Sequence, residues 1–451
     1  MTRIHLHGFK IAGVGHTAVG SWRNPDNQEY RYTDLDYWIE TARTLEAGLF
    51  DSLFLADFPG INDVYQGSAD TSIREAIALP INDPMMAISA MAAVTEHLGF
   101  AVTASTTYAQ PYSFARTMAT LDHLTKGRVG WNVVTSATAS AARNLGRDAQ
   151  VPHDERYAIA EEFLEACYAL WEGSWEDDAV IRDPAIGYAD PAKVHPAAHK
   201  GKYFAVPDRF LCEPSPQRTP ALFQAGASAA GKEFAAKHAE AVFLVETDPR
   251  RMRSTVDDIR ARTGRDLTFI AGVSVVVAPT DAEAQRKFED QVRFVSAEGT
   301  LARQSALMQL DFGAADIDAP LEYVQTDGIR SFLERFTIGD PDRVWTPRQV
   351  AEKMARSLGA ITVVGSPETV ADKLEEIMEI GGIDGFNIYD YAPLHTFPDF
   401  VEMVVPELQR RGRVPAAYPA ATLRENVAGG GPRLPAGHPG AEFRARATVS
   451  R

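Results

Sequence analysis

Cysteine is almost missing from this chain. Cys167 and Cys212 are the only two in 451 residues. They lie far apart and form no CxxC pair, which argues against a disulfide framework or a thiolate zinc site. The expectation is two buried thiols in a soluble, cytoplasmic protein. Positive charge is also short: 45 Lys plus Arg stand against 61 Asp plus Glu, a formal net charge of −16. Nucleic acid and anionic membranes call for a basic footprint, so neither is an expected partner. A local basic pocket for an anionic ligand stays compatible with that balance. Long hydrophobic runs are lacking as well. The longest, around Phe269 to Ala278, is strand-length and too short to span a membrane. The start, MTRIHLHGFK, has no apolar core after its basic residue and does not read as a signal peptide. No HExxH or paired-His pattern occurs and the 11 histidines are scattered, so no metal site is expected.

What the chain does contain is alternation. Short β-branched or aromatic runs recur between longer helical patterns. Strands are predicted at Phe9 to Gly15, Phe50 to Asp57, Leu98 to Thr106, Arg128 to Ser136, Pro220 to Gly226, Ala241 to Thr247, Leu267 to Ala278 and Gly385 to Tyr391. Their near-continuous apolar character means burial on both faces, hence a parallel sheet. Eight β/α cycles match a (β/α)8 TIM barrel, an α/β fold. The structural alternative is an open doubly wound sheet, whose GxGxxG fingerprint Gly13, Gly15 and Gly20 do not reproduce. Two segments interrupt the cycle, about 173–218 and 296–346, the latter carrying Phe312, Tyr323, Phe332, Phe336 and Trp345. Both read as insertions at βα loops, where barrels place lids and substrate walls. Residues 1–415 are expected to form the barrel. Residues 416–451, rich in Ala, Pro, Gly and Arg, are expected as an extended or disordered tail, or one laid against a neighbouring surface.

A barrel gathers its functional groups at the C-terminal ends of its strands. The polar residues there are Asp57, Thr103, Ser105, Thr106, Asn132, Thr135, Ser136, Ser228, Glu246, Thr247, Asp390 and Tyr391. Uncharged hydrogen-bonding groups dominate, which suits a large polar ligand. Asn132, in GWNVV, is either a core amide satisfied by backbone or a donor and acceptor for a planar heterocycle. His153 and Tyr157 share one face of a helix start. There they present donors to a phosphate or ribityl chain, or else cap and pack. Ser228, in GASAAG, opens a helix. It is an N-cap or part of an anion-binding turn. A nucleophile elbow is disfavoured because Ala230 stands where GxSxG needs glycine. His16 is a candidate hydrogen-bond donor at a reacting centre. Trp22 is a candidate pocket wall, or simply packs in its loop.

The run TKGRVGWNVVTS, then ARNLG, then HDERYAIAEEFLEACYALWEGSW resembles the bacterial-luciferase-like FMN-dependent monooxygenases, in the group of nitrilotriacetate, dibenzothiophene-sulfone and long-chain alkane monooxygenases. VHPAAHKGKYFAVPDRFLCEPSPQRTPALFQAGASAAGKEFAAKHAEAVF, GSWR, LFLAD and GFNIYDY extend the resemblance over roughly residues 5 to 415. It departs around Ala137 to Ala142, where small residues replace a polar run. The resemblance implies a luciferase-like barrel with reduced FMN at the mouth. Asp57, Thr103, Asn132, His153, Tyr157 and Ser228 would bind it. His16 as the catalytic group and Trp22 as a substrate contact rest instead on their place in the loop after the first strand. The resemblance further implies O2 as co-substrate, a flavin C4a-hydroperoxide, and oxygenation of a small organic molecule. A separate NAD(P)H:flavin reductase would supply FMNH2, and a homo-oligomer, dimer or tetramer, follows by analogy. Two other readings are a deazaflavin-dependent oxidoreductase of the same superfamily and a non-catalytic flavin-binding barrel. For the substrate, the aromatic residues from Phe312 to Phe336 point to an apolar molecule, and Lys200 with Lys202 point equally to a carboxylate.

Overall fold

The structure, a computed structural model, describes residues 3–444 apart from 17, 137, 227, 315, 325–329, 358–359 and 392–394, and apart from the side chains of 330–332. Ala137, in the departing run, and the Phe332 side chain therefore lie outside the described residues.

Eight parallel strands close a ring. They are β1 (His5–Ile11), β2 (Ser52–Ala56), β3 (Gly99–Ser105), β4 (Val129–Val134), β5 (Ala221–Gln224), β6 (Ala241–Leu244), β7 (Thr268–Val277) and β8 (Gly385–Tyr389). Each pairs with its neighbours in sequence order, and β8 pairs back to β1. Closure removes the sheet edges that an open doubly wound sheet would leave. A ninth strand, Ile361–Gly365, adds in parallel to the end of β7 outside the ring. The sequence reading omits it because its residues are only half-buried and its apolar run is short. The predicted first strand is shifted toward its C-terminus for a related reason. His5 and His7 break the apolar pattern, yet His7 is fully buried with Nδ1 2.8 Å from Ser52 Oγ.

Strand alternation splits the core into two layers. Leu53, Leu55, Phe100, Val102, Trp131 and Val133 point out against the helices, which bury their apolar faces there. Phe9, Phe54, Ala101, Phe223, Phe243 and Tyr389 point into the ring. Phe9 packs against Phe54, Phe243 and Tyr389 with ring centroids 5.7, 5.6 and 4.4 Å away. This aromatic layer fills the lumen below the strand ends.

The segment 173–218 follows the helix His153–Trp171 and leads into β5. It thus joins a helix to a strand, and is not the strand-to-helix loop its composition led us to expect. Composition marks an insertion but not the end of the barrel it leaves from. It forms two small antiparallel pairs and is anchored by Glu162, whose carboxylate accepts the N–H groups of Lys202, Tyr203 and Phe204. The segment 296–346 lies on the other side, over the loop after β1. The Ser296 N–H donates to Val19 O at 2.7 Å. Its Phe312, Phe336 and Trp345 are buried against Val19, Tyr65 and Ile77. They hold the insertion together rather than lining a substrate wall.

Of the tail arrangements, the described part takes the packed one. A helix, Leu423–Ala428, opens on a capping box between Thr422 and Glu425 and closes the N-terminal floor of the barrel. A Cβ added to Gly130 would lie 2.9 Å from Leu423 Cδ2, so a bare glycine backbone admits the plug. Cys167 is buried and Cys212 half-buried, both free. Among the described residues no helix is long and apolar enough to cross a membrane, and no His/Cys/Asp/Glu group is placed to hold a metal.

Candidate functional site

The register of β3 and β4 sets Thr103 beside Asn132, both turned into the ring one step above Ala101 and Gly130. The Asn132 Nδ2 donates to Thr103 Oγ1 at 2.9 Å. Its Oδ1 is buried and has no partner in the protein. The reading of Asn132 as a core amide satisfied by backbone is therefore wrong. A buried acceptor left unmet costs about 1–3 kcal/mol. Such an acceptor is open to a donor from a ligand.

Next around the ring, β5 ends in a turn that leads to the helix Ala229–His238. Ser228 caps that helix, its Oγ accepting the Gly231 N–H at 3.1 Å. The cap leaves the N–H groups at this terminus directed outward, with the positive end of the helix dipole behind them. The Tyr157 hydroxyl lies beside Ser228 and Thr135, and burial pushes its pKa up. A Cβ added to Gly231 would lie 2.8 Å from that hydroxyl, so the close approach requires glycine. The His153 ring centroid is 5.3 Å from that of Tyr157, and its Nδ1 is 2.8 Å from Asp154 Oδ1. His153 is the first helical residue and no side chain caps that helix, which removes the capping reading. Gln224 is the residue the sequence reading missed. It is buried, its Oε1 has no partner, and its Nε2 lies where a Gly226 Cβ would be. A glutamine inside the apolar run ALFQAG carries the same signal that marked Asn132.

On the β1 side, the His16 ring sits 5.2 Å from Phe9 and 5.3 Å from Phe58. Burial, with Arg303 adding to it, holds its pKa well below the usual histidine value, so the ring is neutral. Its Nε2 is buried and unpartnered. Asp57 Oδ1 accepts the Phe58 N–H at 2.9 Å, and burial pushes its pKa up to about 6. Trp22 stands apart. It is 42% exposed, donates its indole N–H to Glu75 O, and lies under the Arg23 guanidinium 4.6 Å from the ring centroid. These contacts match its loop-packing reading and join it to none of the other site residues. Contacts thus link Thr103 with Asn132, His153 with Tyr157 and Ser228, and Asp57 with His16 through Phe58. A cavity between the ends of β1 and β8 is lined by His16, Ile11, Ala18, Glu29, Tyr389 and Tyr391.

The arrangement can hold a large neutral ring by its hydrogen-bonding edges and an anionic tail at a helix terminus. It has unpaired acceptors, a neutral imidazole and an aromatic floor. Comparison with known proteins gives the same direction. Residues 16–384 match the luciferase-like monooxygenase family. The chain is 49% identical to the long-chain alkane monooxygenase of Geobacillus thermodenitrificans, over 98% of each. It is 46% identical to the dimethyl-sulfide monooxygenase of Hyphomicrobium sulfonivorans, over 98% of this chain and 94% of that one. A crystal structure of a riboflavin lyase with modified FMN and riboflavin superposes with a TM-score of 0.92, at 38% identity, over 98% of this chain and 99% of that one.

Proposed function

Because the chain belongs to the luciferase-like monooxygenase family and is an enzyme of that class, we propose that it is the oxygenase half of a two-component system. It takes FMNH2 from a separate NAD(P)H:flavin reductase and oxygenates a small organic substrate with O2 in the cytoplasm, as a dimer or tetramer. The observation that carries this reading is the pair of buried, unpartnered amide oxygens of Asn132 and Gln224, beside the glycine turn and helix terminus at Ser228.

The residues present fit FMN. Thr103 and Asn132 offer a donor and an acceptor to a planar heterocycle. Ser228, Tyr157 and His153 surround the helix terminus where a phosphate gains from N–H groups and the dipole. Asp57, its carboxyl shifted toward neutrality by burial, can keep a proton in reach of a bound ring. Reduced FMN, when bound, supplies the two electrons that activate O2, so that one oxygen atom goes to substrate and the other leaves as water.

The rest falls to the chain. The Phe9, Phe54, Phe243 and Tyr389 layer closes the lumen below and keeps bulk water from entering that way. Neutral His16 presents Nε2, which donates or accepts a hydrogen bond according to tautomer, and so holds a proton at the reacting atoms. The insertion 296–346 covers the β1 side.

The test is direct. Chain supplied with chemically reduced FMN and candidate substrates should consume O2 and add one oxygen atom by mass spectrometry. Chain with NADH alone should not, and turnover with NADH alone would overturn the two-component reading. Asn132→Ala and Ser228→Ala should each weaken FMN binding tenfold or more with circular dichroism unchanged. Unchanged affinity in both would remove the assigned site.

A further inference from the structure

Among the described residues, one cation near the mouth has no hydrogen-bond or ion-pair partner. Arg303 lies on the helix Ala297–Met308, the first of the 296–346 insertion, one turn after Gly299. Positions four apart share a helix face. Gly299 faces Val19, a Cβ there meeting Val19 Cγ1, so Arg303 continues the face turned toward the β1 loop. It is half-buried. Its charge acts on His16, Tyr389 and Tyr391, three of the residues that line the cavity between the ends of β1 and β8. Among the described residues, no hydrogen-bond or ion-pair partner faces it.

The other charged groups around this cavity are balanced. Lys10 is ion-paired to Asp390. The Glu29 carboxylate accepts from Asn27 Nδ2, Ser21 Oγ and the Gly15 N–H, and burial raises its pKa. Arg335, which also acts on Tyr389, donates to Val245 O and lies 3.6 Å from Glu246. Arg303 is left over, in a chain with 16 more acidic than basic residues. A guanidinium keeps its charge and has five donors in a planar fork suited to a two-oxygen anion.

The place in the ring matters too. The phosphate grip proposed above lies at the ends of β4 and β5, and β8 and β1 lie across the lumen from them. A flavin held there by its tail leaves the β8–β1 side for substrate.

We infer that the Arg303 guanidinium is the anion-holding group of the substrate pocket, and that the substrate is an organic acid, a carboxylate or sulfonate on an apolar body. The anion seats on Arg303 between Tyr389 and Tyr391, and its body lies over Phe9 and beside His16. Lys200 and Lys202 do not serve this role. Both are exposed, and Lys202 Nζ is engaged by the Tyr203 hydroxyl and Glu155. This inference rests on the proposed function for the identity of the pocket, and its test reads binding rather than turnover.

FMN-loaded protein is titrated calorimetrically with octanoate, octane-1-sulfonate and 1-octanol, as wild type, Arg303→Met, Arg303→Lys and Lys202→Met. The two anions should bind wild type and Lys202→Met at least tenfold more tightly than octanol. Arg303→Met should reduce that preference below threefold without changing FMN or octanol affinity. Arg303→Lys should keep part of it. No preference in wild type, or a preference that survives Arg303→Met, overturns the inference. Weakened FMN binding in Arg303→Met also overturns it and assigns the guanidinium to the flavin. The two proposals fail separately. Normal FMN binding and O2 use with no anion preference removes only the substrate class. If the chain takes up no FMN, the same titration on the FMN-free protein is the readout, and an anion preference there removes only the flavin reading.

Discussion

Arg424 lies under the floor of this barrel and Arg303 over its mouth, and the protein treats them in opposite ways. Arg424, 1% exposed, donates to Glu240 at 2.6 Å and to the carbonyls of Thr219, Pro220 and Pro432 at 2.7–3.0 Å. Glu240 in turn accepts the Leu222 N–H, and although burial opposes its charge, Arg424 holds its pKa below the usual carboxylate range. Among the described residues, Arg303 has nothing comparable. Burial pushes its pKa below the usual arginine value, and the nearby phenols compensate only in part. A cation whose donors are all met by the chain is a brace. One whose donors are left unmet is open to a ligand. The contrast belongs to these two arginines and not to every polar group at the two ends. Asn132, Gln224 and His16 keep buried polar atoms unmet at the mouth, and Asn426 of the plug helix keeps its Oδ1 unmet at the floor.

The contrast breaks most visibly at the floor. Arg424→Met strands the buried Glu240 charge and should cost about 3–5 kcal/mol of stability in urea unfolding. A loss below about 1 kcal/mol would mean the floor is not braced there. Leu423→Ala empties the plug's contact with β3 and β4, with an expected loss of about 2–4 kcal/mol. In both variants, FMN affinity of the folded fraction should be unchanged. An affinity loss matching the stability loss would show the two ends to be coupled.

At the mouth the expected effects on stability are smaller and carry a pH signature. The Asp57 carboxyl is pushed up to about 6 by burial, above its unfolded value near 4. The native state therefore holds a proton that the unfolded chain has released across that interval, and stability falls as pH rises from about 4 to 6. At about 1.4 kcal/mol per pKa unit, reduced for partial exposure, Asp57→Asn should gain about 1–2 kcal/mol at pH 7 and nothing at pH 4. An equal gain at both pH values would assign the effect to something other than ionisation.

Much of this architecture was readable in the sequence because it is local. Each barrel strand is an apolar run, and the polar residues of the site lie within that run or directly after it, as with Asn132 and Asp57. The phosphate-side turn is a short stretch, GASAAG. Gln224 was legible by the same reasoning and was passed over. What the sequence conceals is assembled from distant segments. Leu423 meets Gly130 across almost 300 residues, in a segment whose composition reads as a loose tail. Arg303 reaches the β1–β8 end from an insertion whose helix has no periodic link to the barrel. Its meaning depends on its having no partner among the described residues, which only the folded structure displays. The aromatic residues of that insertion misled for the opposite reason: an aromatic run is equally consistent with a pocket wall and with a small packed core, and burial of Phe312, Phe336 and Trp345 decides for the core.

The smallest expected change in stability is the one that sharpens the comparison most. Replacing Arg303 by Met removes a charge that no described residue pairs with and strands no described carboxylate. Urea unfolding should therefore shift by no more than about 0.5 kcal/mol, in either direction, against the several expected for Arg424→Met. Added octanoate should then raise the unfolding midpoint of wild type and leave that of Arg303→Met nearly still, because only a state that binds the anion gains from its concentration. If Arg303→Met instead unfolds as readily as Arg424→Met, with or without the anion, the two arginines are both braces and the mouth has no cation to spare for a ligand.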